Sequence, residues 1–219
     1  MNSIALLVIT DGRADYIEQT IPSAAAMLKG PITQRVMFDD SGDPAYRQWL
    51  REKFPEFTLW YEPERLGCGG AVQMAWKHLR AVDTDYVFHL EDDFLFNEIV
   101  PLDEMIEVLE THPYIYQMAL RRQPWWQFEI DAGDVINWHA EDYIQKEKWI
   151  EHRRYFTQNP SLYRKSLIDL GWLNEAESEN KFTQKITGND SKAQFGLWGQ
   201  REDKPRVHHI GNLRMGTQY

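Results

Sequence analysis

One cysteine, Cys68, occurs in 219 residues, so an intrachain disulfide is excluded and the reducing cytoplasm is the expected compartment. Long apolar runs are also missing. Ile4 to Ile9 is too short for a secretory h-region or a membrane span, no basic cluster precedes it, and no later stretch is long enough to cross a bilayer. Basic charge is in deficit, with 24 Lys and Arg against 34 Asp and Glu and a formal net charge of -10. That balance excludes broad electrostatic capture of nucleic acid or anionic membrane. Only local pairs such as Arg121-Arg122 and Arg153-Arg154 remain to meet an anion. Internal repeats and low-complexity linkers are absent, and the length suits one domain with a sizeable core.

Aromatic residues are abundant. Nine Trp, ten Tyr and ten Phe exceed what packing requires, which points to a binding surface. The first half of the chain alternates strand and helix signals. "IALLVIT" is a continuous apolar run of the kind buried on both faces of a sheet, and a helix is expected from about Tyr16 to Lys29. "QRVMFDD" is a second strand, and Asp43-Pro44 opens a helix that stops near Pro55. "FTLWYE" is a third strand. After Gly67, Gly69 and Gly70, the residues Val72, Ala75, Trp76 and Leu79 fall on one helical face. "YVFHLEDDFLF" reads as the fourth strand, Leu102, Met105, Ile106 and Leu109 as the inner face of a helix, and "YIYQMAL" as the fifth strand. The pattern predicts an α/β domain with a mostly parallel sheet covered by helices. The second half is less regular: "NPSLYRKSLIDLGW" is expected to be a helix closed by Gly171, "EAESENKFTQKI" another helix, and "RVHHIG" a short strand.

In an open parallel sheet, ligands bind beyond the carboxyl ends of the strands. Thr10-Asp11-Gly12-Arg13, Asp39-Asp40-Ser41-Gly42 and Glu91-Asp92-Asp93 share that address, with the Gly67-Cys68-Gly69-Gly70 loop beside them. Each has a plain structural reading too: a capped turn for Asp39-Asp40-Ser41-Gly42, a tight turn for the glycines. Three carboxylates at the end of a buried strand are harder to explain that way, because they repel one another unless a cation or hydrogen-bond donors lie between them. Strand alternation would send Glu91 and Asp93 to one face and Asp92 to the other. Oxygen ligands suit Mg2+ or Mn2+, which take one or two carboxylates and leave positions for substrate phosphates, and glycine-rich backbone at a helix start suits phosphate oxygens. A nucleoside diphosphate ligand is expected.

These motifs, in this order, resemble the inverting glycosyltransferases of the GT-A fold, family 2 above all, over most of the chain. The resemblance implies a single Rossmann-like domain, residues 1–97 forming a nucleotide-binding half and 98–219 an acceptor-binding and catalytic half. "VITDGR" is similar to the motif that lines the nucleotide pocket with Thr10, Asp11 and Arg13. "FDDSGD" resembles the acidic motif that reads base or ribose, through Asp40 or else Asp39. "RLGCGGAVQMAW" corresponds to the glycine segment, with Gly67, Gly69 and Gly70 passing the nucleotide. "HLEDDF" stands where the family has Asp-x-Asp, with Glu91 in place of the first Asp; the resemblance makes Asp93 the direct metal ligand, ahead of Glu91, and puts Asp92 on the nucleotide-sugar. The family's catalytic base aligns with Glu179, or with Glu177, although Asn180 replaces the usual second acid. "RVHHIG" resembles the C-terminal segment whose imidazole completes the metal shell, His209 rather than His208.

The implied reaction moves a sugar from a nucleotide-sugar, a UDP-sugar first, to an acceptor hydroxyl with inversion, using Mn2+ or Mg2+. Trp125, Trp126 and Arg122 are expected to form the acceptor platform, or else to be core and rim residues. The acceptor stays open among glycan, protein, small molecule and modified nucleobase. Two rivals accompany this reading: a nucleotidyltransferase, which needs a longer glycine loop with Arg and Lys after the first strand, and a carbohydrate-binding protein without catalysis.

Overall fold

A computed structural model describes residues 2–124 and 140–211. The chain runs β1 (Ile4–Thr10), α1 (Ala14–Met27), β2 (Leu28–Lys29), β3 (Ile32–Asp39), α2 (Pro44–Lys53), β4 (Thr58–Tyr61), α3 (Gly67–Leu79), β5 (Tyr86–Glu91), β6 (Phe94–Phe96), β7 (Val100–Pro101), α4 (Leu102–Thr111) and β8 (Ile115–Leu120). It continues with β9 (Tyr143–Gln145), β10 (Trp149–His152), β11 (Ser161–Arg164), a 3-10 helix over Lys165–Leu170, α5 (Ser178–Asn189), β12 (Gln194–Trp198) and β13 (Val207–His209).

Nine strands form one sheet in the order β4-β3-β1-β5-β11-β8-β12-β10-β9. All of its strands except β10 and β11 point the same way, as the pairings require. β1 is buried along its whole length. Its Leu6 and Val8 pack on one side with Ile17 and Ile21 of α1 and Met105 of α4, and Ala5, Leu7 and Ile9 on the other with Val72 and Trp76 of α3 and Phe182 of α5. That two-sided burial is why the strand is apolar without alternation. The residues expected to face inward on α3 and α4 are all buried.

Register settles which tips meet. Thr10 pairs with Asp39, Ile9 with Glu91, and Asp39 with Tyr61. The polar ends of β1, β3 and β5 therefore share one edge of the sheet.

Two expectations need correction. "YVFHLEDDFLF" is not a single strand: β5 ends at Glu91, Asp92 and Asp93 make a turn, and β6 leaves the main sheet to pair with β13. "NPSLYRKSLIDLGW" is not a helix: Ser161–Arg164 is a strand hydrogen-bonded on both edges, to β5 and β8, and only the stretch after it is helical. The open slot between two buried strands outweighs the local helical pattern. The helix does end at Gly171, at φ 71°.

The elements on the α3 side are locked by Trp76. Its indole N–H donates to the Tyr163 hydroxyl at 3.0 Å, and its ring meets Trp172 and Phe182 at centroid distances of 5.5 and 5.3 Å. Replacement of Trp76 by Ala should cost about 3–5 kcal/mol. Urea unfolding measures this, and a loss under about 1 kcal/mol would show that the cluster collapses around the gap.

Candidate active site

The loop after β1 and the turn after β5 are joined by Arg13. Its Nε meets Asp11 at 2.7 Å, one Nη meets Asp93 at 2.5 Å, and the other pairs closely with Asp92. Asp11 also accepts from Arg65 at 2.8 Å. Four carboxylates would otherwise crowd this edge, counting Glu91, and a guanidinium fork suits the task because it donates in several directions in one plane.

The three acids of "EDD" take different roles. Asp92 is fully buried. It accepts the Thr10 hydroxyl at 2.6 Å, while its backbone carbonyl accepts from Thr20 at 2.7 Å. Burial pushes its carboxyl up to about 7, against the lowering by Arg13 and Thr10. The Tyr46 hydroxyl extends the network, 2.7 Å from Thr10 Oγ1. Asp92 thus ties β1 and α1 to the turn. Asp93 is 2% exposed and faces His209, whose Nε2 lies 3.2 Å from Asp93 Oδ2. Burial works against its charge, but the bond to His209 and the charge of Arg13 outweigh it and hold Asp93 below the ordinary carboxylate value. Glu91 moves the opposite way, raised well above that value by burial and then by the Asp93 charge. Two neighbouring acids of one sign share a proton in this manner.

His209 arrives by register. β13 runs antiparallel to β6 with His209 opposite Phe94, and the Ile210 N–H donates to the Asp93 carbonyl at 2.8 Å. Gln123 clamps the histidine's backbone, accepting its N–H at 2.7 Å and donating to its carbonyl at 2.8 Å. His208 points the other way and is exposed. Of the two histidines, only His209 meets the acids.

A divalent cation is a chemical fit for this corner. Among the described residues no group of three or more His, Cys, Asp and Glu is arranged to hold a metal. Asp93 Oδ1, however, is buried without a hydrogen-bond partner among them, and a buried carboxylate oxygen left so is costly unless a cation or donor completes it. Asp93 and His209 offer the oxygen and imidazole that such an ion accepts, with Glu91 beside them.

Asp39 and Asp40 lie on the same edge and are both engaged by the chain. Asp39 accepts Arg47 Nε at 2.8 Å and the Ser41 N–H at 3.0 Å. Asp40 accepts the backbone N–H groups of Leu66 and Gly67 at 2.7 and 2.8 Å, so a carboxylate of the chain already serves as the anion at the start of α3. Burial raises Asp40. Gly70 lies in the first turn, and Gly69 has a packing reason to be glycine: a Cβ there would stand 2.7 Å from Asn174 Oδ1.

Glu179 occupies the first turn of α5 and is half-buried. Its Oε1 accepts the Gln158 N–H at 2.5 Å. Burial raises its carboxyl, opposed by the bonds from Gln158 and Thr157 and by the charge of Arg122. The charge of Glu179 is felt at Glu91 and at Cys68, and it helps to raise both. Burial also pushes the Cys68 thiol up to about 12, so it is no nucleophile. Glu177 is exposed, at φ 58°, the one non-glycine with positive φ among the described residues. That strain sits where the chain turns Glu179 inward. Arg122 joins Tyr155 and Asn159 around a small cavity, whereas Trp125 and Trp126 lie outside the described residues. Sequence reasoning missed Thr20, Tyr46, Gln158 and Gln123, which carry no motif and act through backbone or hydroxyl bonds.

No protein-family model matches the sequence, and no curated protein matches it. Solved structures do match in fold. S. aureus TarS in complex with UDP-GlcNAc superposes with a TM-score of 0.62 at 19% identity, covering 95% of this chain and 58% of that one. The mannosyltransferase PcManGT from Pyrobaculum calidifontis, in complex with GDP-Man and Mn2+, gives a TM-score of 0.59 at 18% identity, with 84% and 51% covered. GalNAc-T7 with UDP, GalNAc and Mn2+ gives 0.64 at 9% identity, with 96% and 44% covered. The chain thus spans less than two thirds of the solved chains it matches. All three are GT-A-type glycosyltransferases, and no helix among the described residues is long and apolar enough to cross a membrane.

Gly211 closes the site over Asp93. A Cβ on it would lie 2.1 Å from Asp93 Oδ2 and 3.2 Å from His209 Nε2. Gly211→Ala should destabilise the protein by about 1–3 kcal/mol through this overpacking. An unchanged thermal midpoint would show instead that the 209–211 segment lifts away freely.

Proposed function

We propose, from the premise that the chain has the GT-A fold, that it is a metal-dependent glycosyltransferase moving a sugar from a nucleotide-sugar, a UDP-sugar first, to an acceptor hydroxyl with inversion. One observation carries the reading. On a single sheet edge, a buried aspartate with an uncompleted oxygen stands beside an imidazole, and a half-buried glutamate at a helix start lies within electrostatic reach of the neighbouring Glu91.

In this reading residues 1–97 hold the nucleotide and 98–219 supply acceptor binding and catalysis. Thr10, Asp11, Arg13, Asp39, Asp40, Asp92 and the glycine segment line the donor side. The guanidinium of Arg13, in contact with Asp11, Asp92 and Asp93, would meet diphosphate oxygens. Asp93 and His209, with Glu91, would hold Mn2+ or Mg2+. Bound there, such an ion supplies Lewis-acid stabilisation of the charge that builds on the leaving diphosphate. Glu179 takes the proton of the acceptor hydroxyl as its oxygen attacks the anomeric carbon from the face opposite the leaving group. The bond to the diphosphate breaks with its electron pair, and the configuration inverts. Glu177, exposed and outside the cleft, is the weaker candidate. Arg122, with Trp125 and Trp126, belongs to the acceptor side, where glycan, protein, small molecule and modified nucleobase all remain candidates. The cytoplasm is the proposed location.

Incubation with UDP- and GDP-sugars, Mn2+ and an acceptor panel should release UDP or GDP, and Asp93→Ala should lower turnover by at least about 10²-fold. Pyrophosphate release in place of a nucleoside diphosphate would make the protein a nucleotidyltransferase, tight glycan binding without turnover a carbohydrate-binding protein. Undiminished turnover in Asp93→Ala would remove Asp93 from the metal.

The raised carboxyl of Glu179 also sets a pH dependence. A base acts only when deprotonated, and burial raises Glu179, so kcat should fall as pH drops through a value above the ordinary carboxylate range. A kcat profile whose acidic limb stays within that range would count against Glu179 as the base.

A further inference from the structure

Gln117 on β8 makes no hydrogen bond to Glu179, yet its amide is committed to the segment that does. It is 1% exposed. Its Oε1 accepts the Thr157 N–H at 3.0 Å, and its Nε2 donates to the Thr157 carbonyl at 2.6 Å and to Ser161 Oγ at 2.8 Å. A side chain has here taken the place of a neighbouring strand for a backbone outside the sheet.

The next residue along is Gln158, whose N–H holds the Glu179 carboxylate at 2.5 Å. From the helix side, Thr183 Oγ accepts the Phe156 N–H at 2.8 Å and donates to the Glu179 backbone carbonyl at 2.7 Å. Both ends of Glu179 are therefore tied to Phe156–Gln158, and that segment is tied to the sheet by Gln117. Among the described residues, the charged and titratable groups that act on Glu179 or feel its charge are Arg122, Glu91 and Cys68. None of these supplies the geometric restraint.

We propose that Gln117 is a positioning residue: by holding the Thr157 backbone from both sides, it fixes the Gln158 N–H that aims the carboxylate of Glu179 at the acceptor. The inference rests on Glu179 being the base. A carboxylate free to rotate off its donor loses in-line proton transfer, and a misplacement of about 1 Å costs on the order of 10²-fold in rate. Donor binding on the far wall of the cleft is untouched.

The test is a pair of double-mutant cycles read as kcat, donor KM and nucleotide Kd. Gln117→Met removes all three bonds of the amide at similar volume; Thr183→Val removes the helix-side bonds and carries the same comparison if Gln117→Met does not fold. Each should lower kcat, on the order of 10²-fold for Gln117→Met, with donor KM and nucleotide Kd unchanged. In a Glu179→Gln background each should change the residual rate by less than about twofold, because nothing remains to be positioned. An equal loss in both backgrounds, or no loss in the wild-type background, overturns the inference while leaving Glu179 as base. Wild-type turnover in Glu179→Gln alone overturns the base assignment itself.

Discussion

Several carboxylates held together at the edge of an apolar sheet repel one another, and Arg13 is what allows them to stay. At about 4 Å and an effective dielectric constant of about 20, each like-charged pair costs on the order of 4 kcal/mol. The guanidinium, between Asp11, Asp92 and Asp93, replaces repulsion by attraction in three directions. It also couples two loops that are far apart in sequence. The loop after β1 cannot shift without the turn after β5.

The same constraint organises the polar groups around it. Each element reaching the site edge is held through its backbone or through a bond that leaves functional atoms oriented. Gln123 clamps His209, Asp40 satisfies the start of α3, and Gln158 holds Glu179. A network satisfied in this way is stiff, because opening one bond strands a buried partner. The strand β11 makes it possible. Running opposite to β5 and β8, it delivers the residues just before it, Phe156 to Gln158, to the carboxyl edge.

Legibility followed the physics of burial. β1, β3, β4, β5 and β8 could be read because apolar runs ended in polar tips, and α3 and α4 because one face repeated with the helical period. β11 could not. The stretch around Leu162, Leu167 and Ile168 carries a plausible helical spacing, and only the vacancy between two strands turns its first residues into a third. β9, β10 and β12 fall in a region where aromatic and charged residues obscure any period. At the site, Arg13, Asp92, Asp93 and His209 were marked by motif and resemblance, and the structure brings them into contact. Between Glu177 and Glu179, the apolar spacing favoured Glu179 with Glu177 a close alternative; in the fold Glu177 is exposed at an αL turn and Glu179 is half-buried in the first turn of α5.

The sequence by itself determined that the chain is an α/β domain with acidic strand tips and no route to an intrachain disulfide, because composition and periodicity are local properties and survive without a fold. It also determined that these acids needed a positive partner. Which partner, and which acid stays charged, only the tertiary structure decided. Arg13 lies 80 positions from Asp93 in the chain and 2.5 Å away in space, and the opposite shifts of Glu91 and Asp93 arise from burial and from neighbours that no spacing in the sequence predicts.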